Sequence, residues 1–186
     1  MLVQLERVNQ LSRSMQTMES AHKQNTLNID DIIKLAALQF QFKNLDRYHA
    51  ILDKLVTHPD TPVLTVLKAG MVHHGFKQFA EMHTAFQVFE ARVGKDAVPA
   101  DYRMRIANMY ADADMLDLAL VHMKSAVEQQ PDNWRGWVDI ALLYQTQQKP
   151  DAAYEALRQA FAIGGSDARN AITERPQLLK LAAQPR

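Results

Sequence analysis

The feature that most constrains this chain is an internal repeat of 34 residues in its C-terminal half. Seven positions between 106 and 131 recur 34 positions later with side chains of the same class: large, small or turn-forming. The pairs are Ile106 and Ile140, Ala107 and Ala141, Tyr110 and Tyr144, Ala119 and Ala153, Met123 and Leu157, Ala126 and Ala160, and Pro131 and Gly165. A fixed period of this length is typical of stacked helical hairpins. Such architectures usually bind other molecules and seldom transform them, so the repeat favours a binding function.

The hairpin at residues 134–165 has the clearest pattern. Apolar residues from Trp137 to Tyr144 recur at three- and four-residue spacing, which places them on one stripe of a first helix. Pro150 follows a polar break and suits the first turn of a second helix, because its fixed φ fits there. The pair Gly164–Gly165 is expected to end that helix.

This pattern resembles the tetratricopeptide repeat (TPR) in residue class and in spacing. The residues that carry the resemblance are Trp137, Ala141, Tyr144, Ala153, Leu157 and Ala160, with Gly165 where the family often has proline. The resemblance implies an all-α fold, an α-solenoid of stacked antiparallel helix pairs forming a TPR-like superhelix. Alanines would let paired helices approach closely, and the large residues would fill the space around those contacts.

The resemblance is clear over about 100–165 and weaker over 29–99. It divides one structural domain into an N-terminal amphipathic capping helix (1–28), a degenerate hairpin (29–62), a probable hairpin (63–96), two hairpins (100–133 and 134–165) and a C-terminal cap (166–186). The sequence departs from the family at Arg103, which takes the tryptophan position, and at Gln39 and Tyr48, where tyrosine and alanine are expected. Alignment also needs a three-residue insertion near Lys95–Val98.

The two flanks are expected to cap the stack. Residues 2–23 carry leucine, valine and methionine at helical spacing with polar residues between them, which predicts an amphipathic helix laid against the first hairpin. After the glycine pair, Ser166 can cap a short helix to about Thr173, and residues 177–182 give a last turn or two. Terminal units of a solenoid must present a polar outer surface, which both flanks can supply.

Composition excludes several classes of function. Twenty-one basic residues balance 21 acidic ones, so a partner held chiefly through phosphates is disfavoured and we expect no nucleic-acid binding. The absence of cysteine excludes disulfides, thiolate metal sites and cysteine nucleophiles. The N-terminus lacks the pattern of a signal peptide, and no apolar run approaches the roughly 20 residues that span a bilayer. We expect a soluble protein without membrane insertion, cytoplasmic rather than periplasmic, although a cysteine-free chain suits either compartment.

Candidate binding residues follow from the resemblance, which implies that first helices line a concave groove. Carried over one hairpin at a time, the groove positions are Ile33, Ala37 and Phe40; Leu67, Met71 and His74; Met104, Asn108, Ala111 and Asp112; and Arg135, Val138, Leu142 and Gln145, with Arg105 as further polar lining. An extended segment or helix with a few large apolar anchors would suit this lining. Two alternatives stay open for the N-terminal half: a capping helix already fills the groove, or register drift places Phe40 and Met71 in the core.

Other chemistry finds little support. The family's lysine, asparagine and arginine clamp for a peptide's terminal carboxylate is not expected, because Asp101 stands where a lysine is wanted. His73 and His74 point about a third of a turn apart on a helix, so they cannot easily chelate one ion, and we predict no metal site and no cofactor. Asp117 and Asp151 open helices at equivalent places, where exposed amides favour negative charge. No phosphate loop, hydrolase arrangement or helical zinc motif is present, so we expect no enzyme.

The sequence therefore predicts a protein-interaction module or assembly scaffold that binds a peptide or helix. Alternatives are a regulatory or docking appendage of a larger enzyme or membrane protein and, with less support, an RNA-binding helical repeat of similar period. A homodimer formed through the N-terminal helix or an edge of the stack is a further possibility. The identity of the partner is not encoded in these residues.

Overall fold

The computed structural model describes residues 2–24 and 26–183, with side chains from residue 6 onward. This part of the chain contains ten α-helices, a short 3₁₀ helix at Lys95–Ala97 and no strand, so the all-α prediction is confirmed. The helices are α1 (Leu2–Lys23), α2 (Ile29–Gln41), α3 (Leu45–Thr57), α4 (Val63–Gly75), α5 (Phe79–Val93), α6 (Ala100–Asp112), α7 (Leu116–Gln129), α8 (Trp134–Thr146), α9 (Pro150–Ala171) and α10 (Pro176–Ala182).

The chain forms two compact units, Met1–Val93 (unit 1) and Gly94–Arg186 (unit 2). In unit 1, α2 pairs with α3 and α4 pairs with α5, and α3 also packs on α4 and α5. In unit 2, α6 pairs with α7 and α8 pairs with α9, and α7 also packs on α8. Each unit is therefore built from two helical hairpins stacked on one another.

A residue with a left-handed backbone conformation follows the first helix of every hairpin. Four non-glycine residues have φ between 58 and 59°: Lys43, Lys77, Asp114 and Gln148. They are separated by 34, 37 and 34 positions. The 34-residue period thus extends over all four hairpins, and the extra three residues fall between the second and third turns, where the sequence predicts an insertion.

Hydrogen bonds at these turns explain the repeated backbone shape. The Lys77 amide donates to the His74 carbonyl at 2.9 Å, and the Gln78 amide donates to the His73 carbonyl at 2.9 Å. The other three turns have the same two bonds, at distances between 2.8 and 3.0 Å. A left-handed residue lets the chain turn back and satisfy carbonyls that the end of a helix would otherwise leave unpaired.

The repeated alanines form the helix contacts that the sequence predicts. In the 134–165 hairpin, Ala141, Ala153 and Ala160 have no accessible surface, and Ile140 and Leu157 are equally buried. In unit 1 the equivalent small residue is a glycine, Gly70. A Cβ there would lie 2.5 Å from the ring of Phe86, so even alanine would be too large. Close approach of paired helices therefore depends on the absence of side-chain volume at these positions.

The insertion is held by a residue at the family's tryptophan position. The 3₁₀ helix Lys95–Ala97 lies in the inserted segment. Arg103 is 2% exposed, and its Nε donates to the Val98 carbonyl at 3.1 Å while its Nη2 donates to the Lys95 carbonyl. Gln129 Nε2 also donates to the Val98 carbonyl, at 3.1 Å. The arginine thus satisfies backbone groups that the longer loop would otherwise bury unpaired.

In unit 1, Arg92 on α5 satisfies the carbonyls of the loop before α4 in a similar way. Arg92 donates to the carbonyls of Val56, His58 and Thr61 at 3.2, 2.9 and 3.0 Å, which fixes the loop before α4. Arg92 and Gln129 are 37 residues apart, the repeat period with the insertion included. In both hairpins, a long polar side chain near the end of the second helix ties down the loop that precedes the first helix.

The N-terminal helix packs on α2, as the amphipathic pattern predicts, and Met15 is among its buried residues. Gln39, at the family's tyrosine position, is fully buried. Its Nε2 donates to Glu19 Oε1 of α1 at 2.5 Å, and its Oε1 accepts from Asn44 Nδ2 at 2.9 Å. Arg47 pairs with the same Glu19 carboxylate. A buried amide at this position is possible because α1 supplies its partner.

At the other end, the glycine pair breaks the helical backbone where the sequence predicts it. Gly165 has φ 52° and ψ −123°, which is not helical, so α9 consists of two helical stretches that meet at a kink at the expected glycine pair, the second running to Ala171. Gly164 is needed for a different reason, because a Cβ there would lie 2.5 Å from the Trp134 ring. The last helix, α10, packs on α8 and α9 as the C-terminal cap.

Candidate functional site

On α6 the candidate residues lie opposite the core stripe. Ile106, Ala107 and Tyr110 are buried, whereas the candidates at 105, 108 and 112 are exposed and Met104 is half-buried. This division follows the period of an α-helix, because positions spaced by three and four residues share one side. The structure therefore places Met104, Arg105, Asn108 and Asp112 on the accessible side of α6.

On α8 one of the candidates is misplaced. Arg135 is exposed, and Leu142 and Gln145 are half-buried, as a binding surface requires. Val138 has no accessible surface, so its assignment to the groove is wrong. The physical reason is that α8 packs against α7, α9 and the C-terminal helix α10, which leaves it less free surface than a first helix with fewer neighbours.

The side chain of Met104 on α6 reaches the first turn of α8 at a buried glycine, Gly136. Met104 Cε lies 3.2 Å from the place that a Cβ would take on Gly136. That side chain therefore extends from α6 to the first turn of α8, beside Arg135. We call the surface formed by the accessible candidates of unit 2 the α6–α8 face; its residues are Met104, Arg105, Asn108, Asp112, Arg135, Leu142 and Gln145.

A charged group that the sequence did not single out lies in the middle of α8. Asp139 Oδ1 is 3.7 Å from an Nη2 of Arg175, the residue that precedes α10. Burial raises the pKa of the Asp139 carboxyl, and the Arg175 guanidinium opposes that shift. Residue spacing offers no signal for this pair, because the two side chains meet only when the C-terminal segment folds back onto α8.

In unit 1 the corresponding residues lie on α4. Met71 and His74 are half-buried, and the His74 ring lies 6.2 Å from the Phe79 ring. Leu67 is 2% exposed, so its placement in the groove is wrong. It belongs to the apolar packing of α4, which buries Val66, Leu67 and Ala69 in succession.

Two observations on α2 bear on the alternatives for the N-terminal half. Phe40 is 52% exposed, and its ring lies 5.2 Å from that of Tyr48, so register drift has not carried it into the core. Helix α1 contacts α2 through Gln39 of the core stripe, whereas Ala37 on another side of α2 is exposed. Helix α1 therefore leaves Ala37 and Phe40 exposed, and Ile33 is half-buried.

Two histidines of unit 1, His73 and His49, lie close to other polar and aromatic side chains. His73 is fully buried, as expected for the family's tyrosine position; its Nδ1 lies 2.9 Å from Gln78 Oε1, and its Nε2 lies 3.4 Å from Asp53 Oδ1. The His49 ring centroid lies 5.9 Å from that of His73. Burial lowers the pKa of His49, and His73 lowers it further, while nearby carboxylates oppose the shift. Within the described ranges, no group of three or more histidine, aspartate or glutamate side chains is arranged to hold a metal ion.

The aspartates near α6 and α7 have roles in turns and in stacking. Asp114 is the left-handed residue of its turn. Asp117, in the first turn of α7, accepts a hydrogen bond from Gln147 Nε2 at 2.8 Å. Because Gln147 follows α8, this bond links one hairpin of unit 2 to the next.

No family model and no curated protein sequence matches this chain. Solved structures do match it over most of its length. The structure of YrrB, described as a TPR protein with an unusual peptide-binding site, has 17% identity and a TM-score of 0.58, over 91% of this chain and 87% of YrrB. A crystal structure of MamA has 16% identity and a TM-score of 0.56, over 97% of this chain and 92% of MamA. A second MamA structure, AMB-1, has 18% identity and a TM-score of 0.57, over 97% and 91% of the two chains.

These similarities establish the fold. The chain has the tetratricopeptide-repeat fold, an α-solenoid of stacked antiparallel helix pairs, as the 34-residue pattern predicts. No helix among the described residues is both long enough and apolar enough to cross a membrane.

Proposed function

We propose that this chain is a protein-interaction module that binds a peptide segment or a helix on the α6–α8 face, and that it acts by binding and not by catalysis. The observation that carries the proposal is that Met104, half-buried on α6, reaches the first turn of α8 at Gly136, which brings candidates on two first helices close together. The fold supports the proposal in general terms, since stacked helical hairpins offer extended surfaces of this kind.

The composition of the α6–α8 face suits a polypeptide partner. Met104 and Leu142 are half-buried apolar side chains, and exposed polar side chains, Asn108 and Arg135, flank them. Apolar anchors within a polar rim are the usual composition of a protein-binding surface. Methionine adds a flexible, polarisable side chain that can adapt to a partner.

A neighbour in the structural comparison gives further support. YrrB is described as having a peptide-binding site, and its fold matches this chain over most of its length. By analogy of fold alone, a peptide is the ligand class to test first. Unit 1 has its own candidate surface on the first helix α4, where Met71 and His74 are the proposed contacts.

The proposal is tested by reversing the character of the two anchors. Met104→Glu and Leu142→Glu place a charge on the face, and each is expected to abolish the capture of partners that the unchanged full chain retains from a lysate of its source cells. Val121→Glu is the matched control, because Val121 is 49% exposed on α7 and lies outside the face. Circular dichroism should show nearly unchanged helicity and melting for all three variants.

The control separates loss of binding from loss of folding. Capture that survives both face variants would contradict the α6–α8 face as the binding surface. Unfolding of both would show that these side chains belong to the core, and the assignment of the face would then be wrong. Partners retained by Val121→Glu and lost from both face variants are those that the proposal predicts.

A further inference from the structure

A cavity of about 180 Å³ lies in unit 1 between α1, α2 and α3. Its wall includes Leu35 and Ile51, which are buried, and Ala50, which is exposed near its opening. Apolar cavities of this size hold one ring or a short alkyl chain, since an engineered cavity of about 150 Å³ binds benzene. The tail of a ligand in this place would be small and apolar.

Cations surround the opening of this cavity. His22 and Lys23 from α1 and Lys54 from α3 line it, and Lys54 Nζ lies 3.3 Å from His22 Nε2. The ion pairs between described residues include none made by Lys23 or Lys54. Burial lowers the pKa of His22, and the Lys54 charge lowers it further, in accord with an excess of positive charge here.

The one carboxylate in the lining is already engaged. Glu19 accepts from buried Gln39 and pairs with Arg47, so its charge is compensated within the α1–α2–α3 network. The remaining cations at the opening have no such partner among the lining residues. An anionic group would therefore complete this site, and it would replace a neutral imidazole as the partner of Lys54.

We propose that this cavity binds a small carboxylic acid whose apolar tail is a short alkyl chain or a single ring. The tail contacts Ile51 and Ala50, next to the fully buried Leu35, and the carboxylate accepts hydrogen bonds from Lys54 and Lys23. A free acid and the C-terminal residue of a peptide share this chemistry. The site lies in unit 1, so it does not depend on the proposed function of the α6–α8 face.

The test is a titration of the full chain, with methyl labels on leucine and isoleucine, followed by NMR. Hexanoate is expected to shift the Leu35 and Ile51 methyl signals with a dissociation constant on the order of 1 mM, as befits so small a ligand. Hexylammonium has the same tail and the opposite charge, and it should leave these signals unchanged. Acetyl-Ala-Leu distinguishes the sources: shifts with both acids indicate that a peptide C-terminus also fits, and shifts with hexanoate alone indicate a free acid.

Two variants and a matched control make the result specific. Lys54→Met should weaken hexanoate binding about tenfold, the usual effect of losing a hydrogen bond from a charged group. Lys68→Met is the matched control, because Lys68 is exposed on α4 and does not line the cavity, and it should bind as the unchanged protein does. Ala50→Phe fills the opening from an exposed position and should prevent binding without loss of stability.

Three outcomes would overturn the proposal. The first is the absence of shifts at Leu35 and Ile51 with hexanoate at about 50 times the expected dissociation constant, where a single site would be nearly saturated. The second is equal binding of hexanoate and hexylammonium, because the cations at the opening would then have no role. The third is unchanged hexanoate binding by folded Ala50→Phe, which would place the ligand elsewhere even if Lys54→Met proved too unstable to use.

Discussion

Glycine at the repeated left-handed turn should stabilise this protein. Lys77 has φ 58° in unit 1, and Gln148 has the same φ in unit 2. Both side chains are exposed, and no hydrogen bond or ion pair is found for either among the described residues. Lys77→Gly and Gln148→Gly therefore change the backbone energetics with little loss of contact.

The magnitude follows from two opposing contributions to the free energy of unfolding. A left-handed conformation costs an L-residue about 1–2 kcal/mol because Cβ crowds the following carbonyl. Glycine avoids that cost and loses about 0.5–1 kcal/mol through the greater entropy of its unfolded chain. Each substitution should raise the free energy of unfolding by about 0.5–1 kcal/mol. Because the two sites lie in different units, their effects should add.

Alanine at the same positions is the matched control. Lys77→Ala and Gln148→Ala shorten the side chain and keep the Cβ, so they should leave stability within about 0.5 kcal/mol of the original. Urea unfolding followed by circular dichroism gives the free energies, and thermal melting gives an independent measure. Equal stability of the glycine and alanine variants would refute the argument, since the cost of the left-handed turn would then lie elsewhere than in the Cβ.

Four further outcomes are expected. Ala141→Leu overpacks a fully buried helix contact and should cost about 1–3 kcal/mol of unfolding free energy, measured in urea. Gly136→Ala should lower the free energy of unfolding to a similar degree, because its Cβ would lie 2.4 Å from Val127 Cγ1. A Gly136→Ala variant that is more stable than the original protein would contradict this packing. Burial raises the pKa of Asp139, so the folded state holds that proton more tightly; its contribution to stability is present at low pH and is lost as pH rises through the raised pKa, and Asp139→Asn should flatten this part of the plot of melting temperature against pH. Deletion of residues 1–25 removes the carboxylate partner of a buried amide and should lower the melting temperature; an unchanged melting temperature with a halved mass in light scattering would identify α1 as a dimer contact instead.

The register of this fold could be predicted from sequence because it depends on residue classes at fixed spacing. The alanines of the 134–165 hairpin are buried where the 34-residue pattern places them. Even the faint first hairpin keeps the period, since its turn at Lys43 has the same φ as the turns that follow. Local patterns of this kind survive substitution, because size and turn geometry constrain each position separately.

Contacts between distant segments could not be predicted in this way. Val138 occupies a groove position by register, yet it is buried in a helix that the C-terminal cap also contacts. Gln39 departs from the family pattern for a reason that lies 20 positions earlier, in the carboxylate of Glu19. A repeat pattern describes what each hairpin shares with the next. The helices at the two ends of the chain, α1 and α10, are not part of the repeat, so their contacts do not follow from the pattern.

Two departures from the family pattern, Arg103 and the insertion near Lys95–Val98, compensate for each other. Read along the sequence, its side chain is simple drift at the tryptophan position, and the insertion near Lys95–Val98 is a separate irregularity. In the structure the two depend on each other, because the buried guanidinium donates to carbonyls of the inserted segment. A tryptophan there would offer one indole N–H and leave at least one of those carbonyls without this donor. Restoring the family residue alone, as Arg103→Trp, should therefore destabilise unit 2, and removal of the three extra residues should be tolerated only together with that change.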